Sequence, residues 1–363
     1  FDGYSIDSVS IGNPHHLDFR QTGGRVRALT RLLQNVWRLG PRSLLRVRSL
    51  RQAARGHQDG SQIGSSVWRA LAEATADTTT VHYFGARAAD GIFRPWTIRT
   101  MGSEPEEVYV GNLAPILGRA AVPIRRVRGG MGVFFRAVDQ KLAIRYRHEV
   151  TQLRTDRGRV VGIAGIAEGG KAFEQNADLV VIALPAPAAA ALLAAGYAGL
   201  SRALGGIAYR PVATVIATYR SAQFPGGLGG VFLPRGEAVS HISKQSGSDG
   251  TTLRFSFAGI AARPWLRPGV SEEELVQVAE KTMLRFGGKL GERVRQVSRV
   301  WLPGVCGQSW MHHRTLDVLA AGVAAAPGLC LAGDYFQSAS LDGCVASTQR
   351  NVREALSRIA ENS

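Results

Sequence analysis

Three blocks in a fixed order restrict what this chain can fold into more than any other feature. The first is Gly129-Gly130-Met131-Gly132, a glycine turn entering an amphipathic helix, followed by a strand carrying His148-Glu149-Val150-Thr151. The second is the run ADLVVIALP, Ala177 to Pro185. The third is Leu331-Ala332-Gly333-Asp334-Tyr335, followed by Leu341-Asp342-Gly343-Cys344-Val345 at the start of a helix. Short apolar runs bounded by turn signals read as buried strands, and strands alternating with helical stretches imply an α/β layer.

Between these blocks the local signals are clear. Residues 61–124 read as mostly helical, with Ser103 opening a capping-box-like SEPEE. The stretch HEVTQLRTDRGRVVGIAG predicts two strands joined at an Asp156–Gly158 turn. Tyr209–Tyr219, Gly229–Leu233 and Thr252–Phe257 read as strands. Ser271 followed by three glutamates marks the start of a helix ending near Phe286. Leu179–Ser201 has no charge over 23 residues, long enough to span a bilayer, but Pro185 and Pro187 interrupt it. A buried strand Leu179–Ala183, a turn and an alanine-rich helix is the better reading.

Composition sets the outer limits. With 363 residues, 45% apolar and 20% charged, the chain is long enough for one large core or two ordinary domains and is not of a disordered type. Cys306, Cys330 and Cys344 form no C-x-x-C pair, which excludes a disulfide framework and a cysteine zinc site and points to a reducing, cytoplasmic setting. The adjacent pairs His15-His16 and His312-His313 cannot clamp one metal from a helix, so no metal site is expected. Neither a P-loop, a G-x-S-x-G elbow nor an H-E-x-x-H helix occurs, which disfavours the corresponding phosphoryl-transfer, serine-hydrolase and zinc-protease chemistries.

The formal charge is +16, and Phe19–His57 holds ten arginines and no acid. Val26, Leu29, Leu32, Leu33, Val36 and Trp37 fall on one helical face there. Two readings stand: a solvated surface helix, which is the usual meaning of a charge run, and a basic amphipathic segment, Arg25–Arg55, that contacts an anionic membrane surface peripherally. Nucleic acid is disfavoured, because no base-stacking motif or zinc-finger spacing accompanies the charge.

The blocks have a ligand chemistry. A strand ending at Gly333-Asp334 can set a carboxylate beside a sugar-type hydroxyl, with the glycine allowing close backbone approach. The Asp342–Val345 turn would direct free backbone N–H groups and a positive helix end at negative charge. Val150 and Pro185 would flank an adenine.

With RGGMGVFFRAV, the HEVTQL–GRVVGI hairpin, ADLVVIALPAPAA and LAGDYFQSASLDGCVASTQRNVREAL, the sequence resembles the flavin-containing amine oxidase superfamily, which also includes protoporphyrinogen oxidases and phytoene-type desaturases. The resemblance runs from about Arg128 to the C-terminus, with Phe1–Asp7 aligning to a further strand. It implies FAD as cofactor and removal of a hydride from a C–C or C–N bond of a small-molecule substrate. It places Val150 and Pro185 on the adenine side, Gly333 and Asp334 at the ribityl chain, and Asp342, Gly343, Cys344 and Val345 near the flavin pyrimidine. Trp301 and Trp310 become candidates for an aromatic wall over the flavin, with core packing as the plain alternative.

The implied architecture is α/β. A discontinuous, Rossmann-like FAD-binding domain comprises 1–12, 125–200 and 326–363. An α+β substrate domain with a mixed or antiparallel sheet comprises 13–124 and 201–325. The sequence departs from the family in three places. It has no G-x-G-x-x-G, so the N-terminal βαβ unit is expected to be missing, about 40 to 50 residues before Phe1. The D-x-G expected near the flavin reads Asp7-Ser8-Val9, and no lysine lies between Tyr209 and Tyr219. The last departure favours a protoporphyrinogen oxidase- or desaturase-like dehydrogenation of a bulky, largely apolar substrate. An amine oxidase releasing peroxide is the first alternative. A flavin-free homologue, or one subunit of a complex that is inactive alone, is the second.

Overall fold

The computed structural model describes residues 2–3, 8–10, 40–57, 59–118, 125–126, 130–224, 229–245, 251–338 and 340–361. The amphipathic run from Val26 to Trp37 and the segment 4–7 lie outside these residues. Two compact units emerge: Phe1–Ser5, Ala120–Ile207 and Arg314–Ser363 form one, and Ile6–Arg119 and Ala208–His313 the other.

In chain order the main elements begin with β1 (Ser8–Ser10), α1 (Pro41–Arg55), α2 (Ser66–Ala74), α3 (Thr80–Phe84) and α4 (Arg94–Met101). Next come α5 (Met131–Asp139), β2 (His148–Asp156), β3 (Arg159–Ala167), β4 (Ala172–Asn176), β5 (Val180–Ile182), α6 (Ala186–Leu193) and α7 (Ala198–Gly205). Then follow β6 (Tyr209–Tyr219), β7 (Gly230–Phe232), β8 (Val239–Lys244), β9 (Thr252–Phe257), α8 (Glu272–Arg285), β10 (Arg293–Cys306) and α9 (His312–Ala324). β11 (Leu329–Leu331) and α10 (Leu341–Glu361) close the chain.

The second unit is built on a six-stranded mixed sheet in the order β10-β6-β9-β8-β7-β1, antiparallel except where β7 meets β1 in parallel. Alternation along β6 explains its two faces: Ala213, Val215, Ala217 and Tyr219 are buried, while Val212, Thr214, Ile216 and Thr218 are half-buried on the other side. The buried face packs against α8 through Leu275, Val276, Ala279 and Met283. That helix starts as its sequence predicts. Ser271 Oγ accepts the Glu274 N–H at 3.1 Å, and the Glu274 carboxylate accepts the Ser271 N–H at 2.8 Å, a reciprocal cap that satisfies two otherwise orphan donors.

The opposite face of the sheet is crossed at one end by α4. Arg94 donates to Leu233 O at the end of β7 (2.7 Å). Ile98 lies against Gly259, beyond β9, and a side chain at Gly102 would meet Val212 and Arg210 of β6. Arg94 is also paired with Glu104 at 2.7 Å, both side chains being buried. This pair revises the expected helix start. Glu104, not Ser103, begins the short turn Pro105–Glu107, with the Glu107 carboxylate accepting the Glu104 N–H, while the Ser103 hydroxyl donates to Met101 O.

In the first unit, β2, β3 and β4 form an antiparallel sheet. Its first hairpin turns at Arg157 (φ 47) and Gly158 (φ 82), both left-handed, as a tight two-residue connection requires. The uncharged stretch Leu179–Ser201 resolves into β5, a turn and the eight-residue helices α6 and α7. No helix among the described residues is long and apolar enough to cross a membrane. The expected buried strand Leu179–Ala183 is shorter and only partly covered: Ile182 is buried but Val181 is 39% exposed.

Among the described residues of the basic N-terminal stretch, α1 carries five arginines, with Leu45 exposed and Ala54 its one buried residue. Ser43 Oγ donates to Phe84 O at 2.7 Å, Arg46 donates to Tyr83 O, and the Arg46 guanidinium lies 5.0 Å from the Tyr83 ring centre. The helix is therefore tied to α3 by one side, with Arg42, Arg48 and Arg55 exposed and Arg51 half-buried.

Candidate functional site

Two segments distant in sequence meet in β5 and β11, which pair in parallel from Leu329↔Val180 to Leu331↔Ile182. The Ala332 N–H donates to Ile182 O at 2.9 Å, so the two chains leave the strands side by side. On the β5 side the chain reaches Pro185, which is exposed and caps α6; its carbonyl accepts from the N–H groups of Ala188 and Ala189. On the β11 side it reaches Gly333 and Asp334, both half-buried. The same edge receives the start of α10, which packs on β11 and is anchored by Asn351 Nδ2 donating to Leu331 O at 3.1 Å. Burial, and after it the Asp334 carboxylate, push the Cys344 thiol up, so Asp334 and the first turn of α10 are neighbours. Val150 lies half-buried on β2, opposite Gly165, and α6 packs against that strand.

Two details revise the reasoning from sequence. Gly333 is extended, and an added Cβ would meet Tyr335 Cε1 at 2.3 Å, so the missing side chain makes room for the buried Tyr335 ring. The N–H groups expected to be free at Asp342–Val345 are partly committed. Ser340 Oγ accepts the Gly343 N–H at 3.1 Å, and Ser340 O accepts the Cys344 N–H at 2.9 Å. A Cβ at Gly343 would meet Ser338 Oγ at 2.5 Å, so this glycine also serves local packing. Asp342 and Val345 are exposed. The chemistry that remains, a half-buried carboxylate at a strand end and the positive end of a 21-residue helix, fits the polyol and ring portions of a flavin.

The two tryptophans belong to the second unit. Trp301, on β10 opposite Val212, is 42% exposed on the sheet face crossed by α4. Trp310 is 53% exposed, and its indole N–H donates to Ala76 O at 3.0 Å. Its loop is fixed by the buried Asp77 carboxylate, which accepts the N–H groups of Gly111 (2.9 Å) and Met311 (2.6 Å). His313 Nε2 meets Glu73 at 3.0 Å, and no group of three or more His, Cys, Asp or Glu side chains among the described residues is placed to hold a metal.

A carboxylate and a helix start gathered beyond the carboxyl ends of parallel strands is how α/β folds bind nucleotide-type ligands. The chain belongs to the flavin containing amine oxidoreductase family, whose sequence profile matches residues 23–356. It is a flavin-dependent oxidoreductase of the amine oxidase superfamily, with a mixed helix and strand fold. No curated protein matches it. Solved structures share the fold at low identity. Cyclohexylamine oxidase from Brevibacterium oxydans IH-35A is 17% identical, over 89% of this chain and 75% of that one, with a TM-score of 0.59. A triple mutant of putrescine oxidase is 18% identical, over 99% and 82%, with a TM-score of 0.64. A protein of Exiguobacterium sp. 255-15 assigned as a protoporphyrinogen oxidase is 18% identical, over 78% and 67%, with a TM-score of 0.59.

One polar group on the sheet face beneath α4 has no counterpart in the sequence reading. His241, on β8, stacks on Phe232 at 4.4 Å, and its Nε2 is closed off from solvent without a hydrogen-bond partner. Burial, with the fields of Arg99 and Arg254 acting in the same direction, holds the ring down at about 3. The folded protein thus keeps His241 neutral where the unfolded chain takes up a proton, so stability is intact above pH 6.5 and falls as pH drops toward 3. Denaturant unfolding should lose about 1.4 kcal/mol between pH 8 and pH 5.5 from this group alone. His241→Phe should remove that part of the slope, and identical slopes in both proteins would contradict the assignment.

Proposed function

We propose that this chain is an FAD-dependent dehydrogenase acting on a bulky, largely apolar small molecule, in the manner of protoporphyrinogen oxidases and desaturases. The reading is supported by the parallel β5–β11 pair, beyond whose carboxyl ends the chain runs on to Pro185 and to Gly333-Asp334, and by the packing of α10 against β11 and the Asp334–Phe336 turn. The first unit would form the discontinuous, Rossmann-like FAD-binding domain, and the second the substrate domain. A bound flavin would supply the two-electron acceptor. Asp334 would accept a hydrogen bond from a ribityl hydroxyl. The N-terminal end of α10 would favour negative charge on the ring, mainly through its dipole. Trp301 would contribute apolar wall.

The substrate class is supported by the absence of lysine from Tyr209–Tyr219. A second reading, an amine oxidase that releases peroxide, is favoured by the cyclohexylamine and putrescine oxidases among the structural relatives. Visible absorption of the purified chain mixed with FAD should show a bound flavin band that Asp334→Ala weakens roughly tenfold in affinity, the usual scale for a lost charge-assisted hydrogen bond. A chain that stays colourless at saturating FAD contradicts the reading and leaves the flavin-free or one-subunit alternative. Peroxide release with a simple amine would favour the second reading.

The proposal includes a cytoplasmic setting and peripheral contact of Arg25–Arg55 with an anionic bilayer, supported by the exposed Arg42, Arg48 and Arg55 and the exposed Leu45 of α1. Binding to vesicles containing phosphatidylserine should fall with added salt. No binding at low salt would remove that part.

A further inference from the structure

α5 and the loop that follows it are exposed almost throughout. From residue 130 to residue 149 only Val138 is half-buried, every other residue is exposed, and α5 buries no side chain. Yet its sequence is that of a packed helix: the spacing i, i+3, i+4, i+7 puts Met131, Phe134, Phe135 and Val138 on one face. The Phe134 and Phe135 rings meet edge to face at 5.4 Å and form one aromatic wedge, with Phe135 54% exposed. Val133 falls roughly on the opposite side of the helix, at about 100° per residue. The loop then adds Leu142, Ile144 and Tyr146, all exposed. Nothing local stabilises α5. Gly130, at φ 81, leads into it without a side-chain cap, and its first turn carries no acid. A nine-residue helix of this kind is marginal in water on its own, so whatever takes up the wedge has to hold it.

Charge identifies the partner. Between residues 130 and 148, Arg136, Lys141, Arg145 and Arg147 stand against one acid, Asp139, whose carboxylate accepts the Tyr146 hydroxyl at 2.7 Å. Arg147 pairs with Glu168 and Arg145 donates to Gln175 of β4, whereas Arg136 and Lys141 form no ion pair among the described residues. A second copy of the chain docked here about a two-fold axis would bring these bases against their own kind. A single protein surface laid on the phenylalanine face would leave Val133 on the far side in water. An anionic lipid interface meets both demands. It surrounds the element, takes phenylalanine and leucine into the boundary between headgroups and acyl chains, and neutralises lysine and arginine at the headgroups. An amphipathic ring such as that of Tyr146 sits at headgroup level.

We propose that α5 and the loop from Lys141 to Arg147 are a membrane-inserting element: Phe134, Phe135 and Leu142 enter the headgroup–acyl boundary of an anionic bilayer, while Arg136 and Lys141 bind its negative headgroups. The inference goes beyond the contact proposed for Arg25–Arg55. A different element carries it, and burial of apolar side chains adds to charge. It is independent of the flavin reading.

The full chain is partitioned onto vesicles of phosphatidylcholine with phosphatidylserine, and onto phosphatidylcholine alone, by sedimentation. Binding should require phosphatidylserine. Phe134→Ser combined with Phe135→Ser should weaken it roughly tenfold or more, the scale of two lost apolar burials. Arg136→Gln combined with Lys141→Gln should weaken it roughly 25-fold, at about fivefold for each base near an anionic surface. Both pairs are exposed, so far-UV circular dichroism and the thermal midpoint should stay those of the parent chain. Insertion is read separately: vesicles with brominated acyl chains should quench the additional emission of Phe135→Trp relative to the parent chain. Binding unchanged in both double variants, equal binding to the two vesicle types, or no quenching of Phe135→Trp would overturn the proposal. Binding lost only through Arg42→Gln with Arg48→Gln would also overturn it, leaving α1 as the contact. So would a dimer in vesicle-free solution that the double phenylalanine variant abolishes, together with no vesicle binding, which would assign the face to a second copy.

Discussion

The candidate cofactor site exists because two three-residue strands, Val180–Ile182 and Leu329–Leu331, pair in parallel. Neither strand has an extensive sheet around it among the described residues, so the main-chain bonds between them and the Ala332 N–H to Ile182 O continuation fix where both chains emerge. β3 reinforces the arrangement at the other end. The Val160 N–H donates to Pro327 O at 2.8 Å, and Gly328, at φ 79, lies so close to Val160 O that any side chain would collide with it. With that end pinned, Gly333-Asp334 and the start of α10 have little freedom in where they lie.

The second unit follows a different logic. Its sheet buries one face against α8 and leaves the other to α4 and solvent. Antiparallel sheets commonly have one packed and one wetter face, and the wetter one is free to carry chemistry. Here it carries Thr214, Ser256, His241 and Arg254 interspersed with the apolar Val212, Ile216, Phe232 and Trp301. The buried Arg94–Glu104 pair and the bond from Arg94 to Leu233 O hold α4 at this end of the sheet. Breaking such a pair by removing one partner is costly, which makes α4 a fixed wall.

Features that depend on neighbouring residues were legible in the sequence. The Asp156–Gly158 turn, the Ser271 cap with its glutamates, and the alternation of Tyr209–Tyr219 are all set by local backbone and side-chain chemistry. The order of the three blocks was enough to reveal the family, because it records strands that must come together. Features decided by distant partners were not legible. Glu104 displaces Ser103 as the start of its turn because Arg94 holds it buried. Gly333 read as an opening for close ligand approach, and its missing side chain also makes room for the chain's own Tyr335. His241 went unmarked because VSHISK shows only which way its ring faces, while Arg99 and Arg254 arrive from other elements.

The central claim is that the carboxyl edge of the Val180–Ile182 and Leu329–Leu331 pair holds the flavin. Amide hydrogen exchange with and without saturating FAD tests it most directly. Protection should appear in peptides covering Gly333–Phe336 and the first turn of the helix from Leu341, because ligand binding suppresses the local opening that exchange requires. Unchanged exchange in both peptides at saturating FAD would contradict the account.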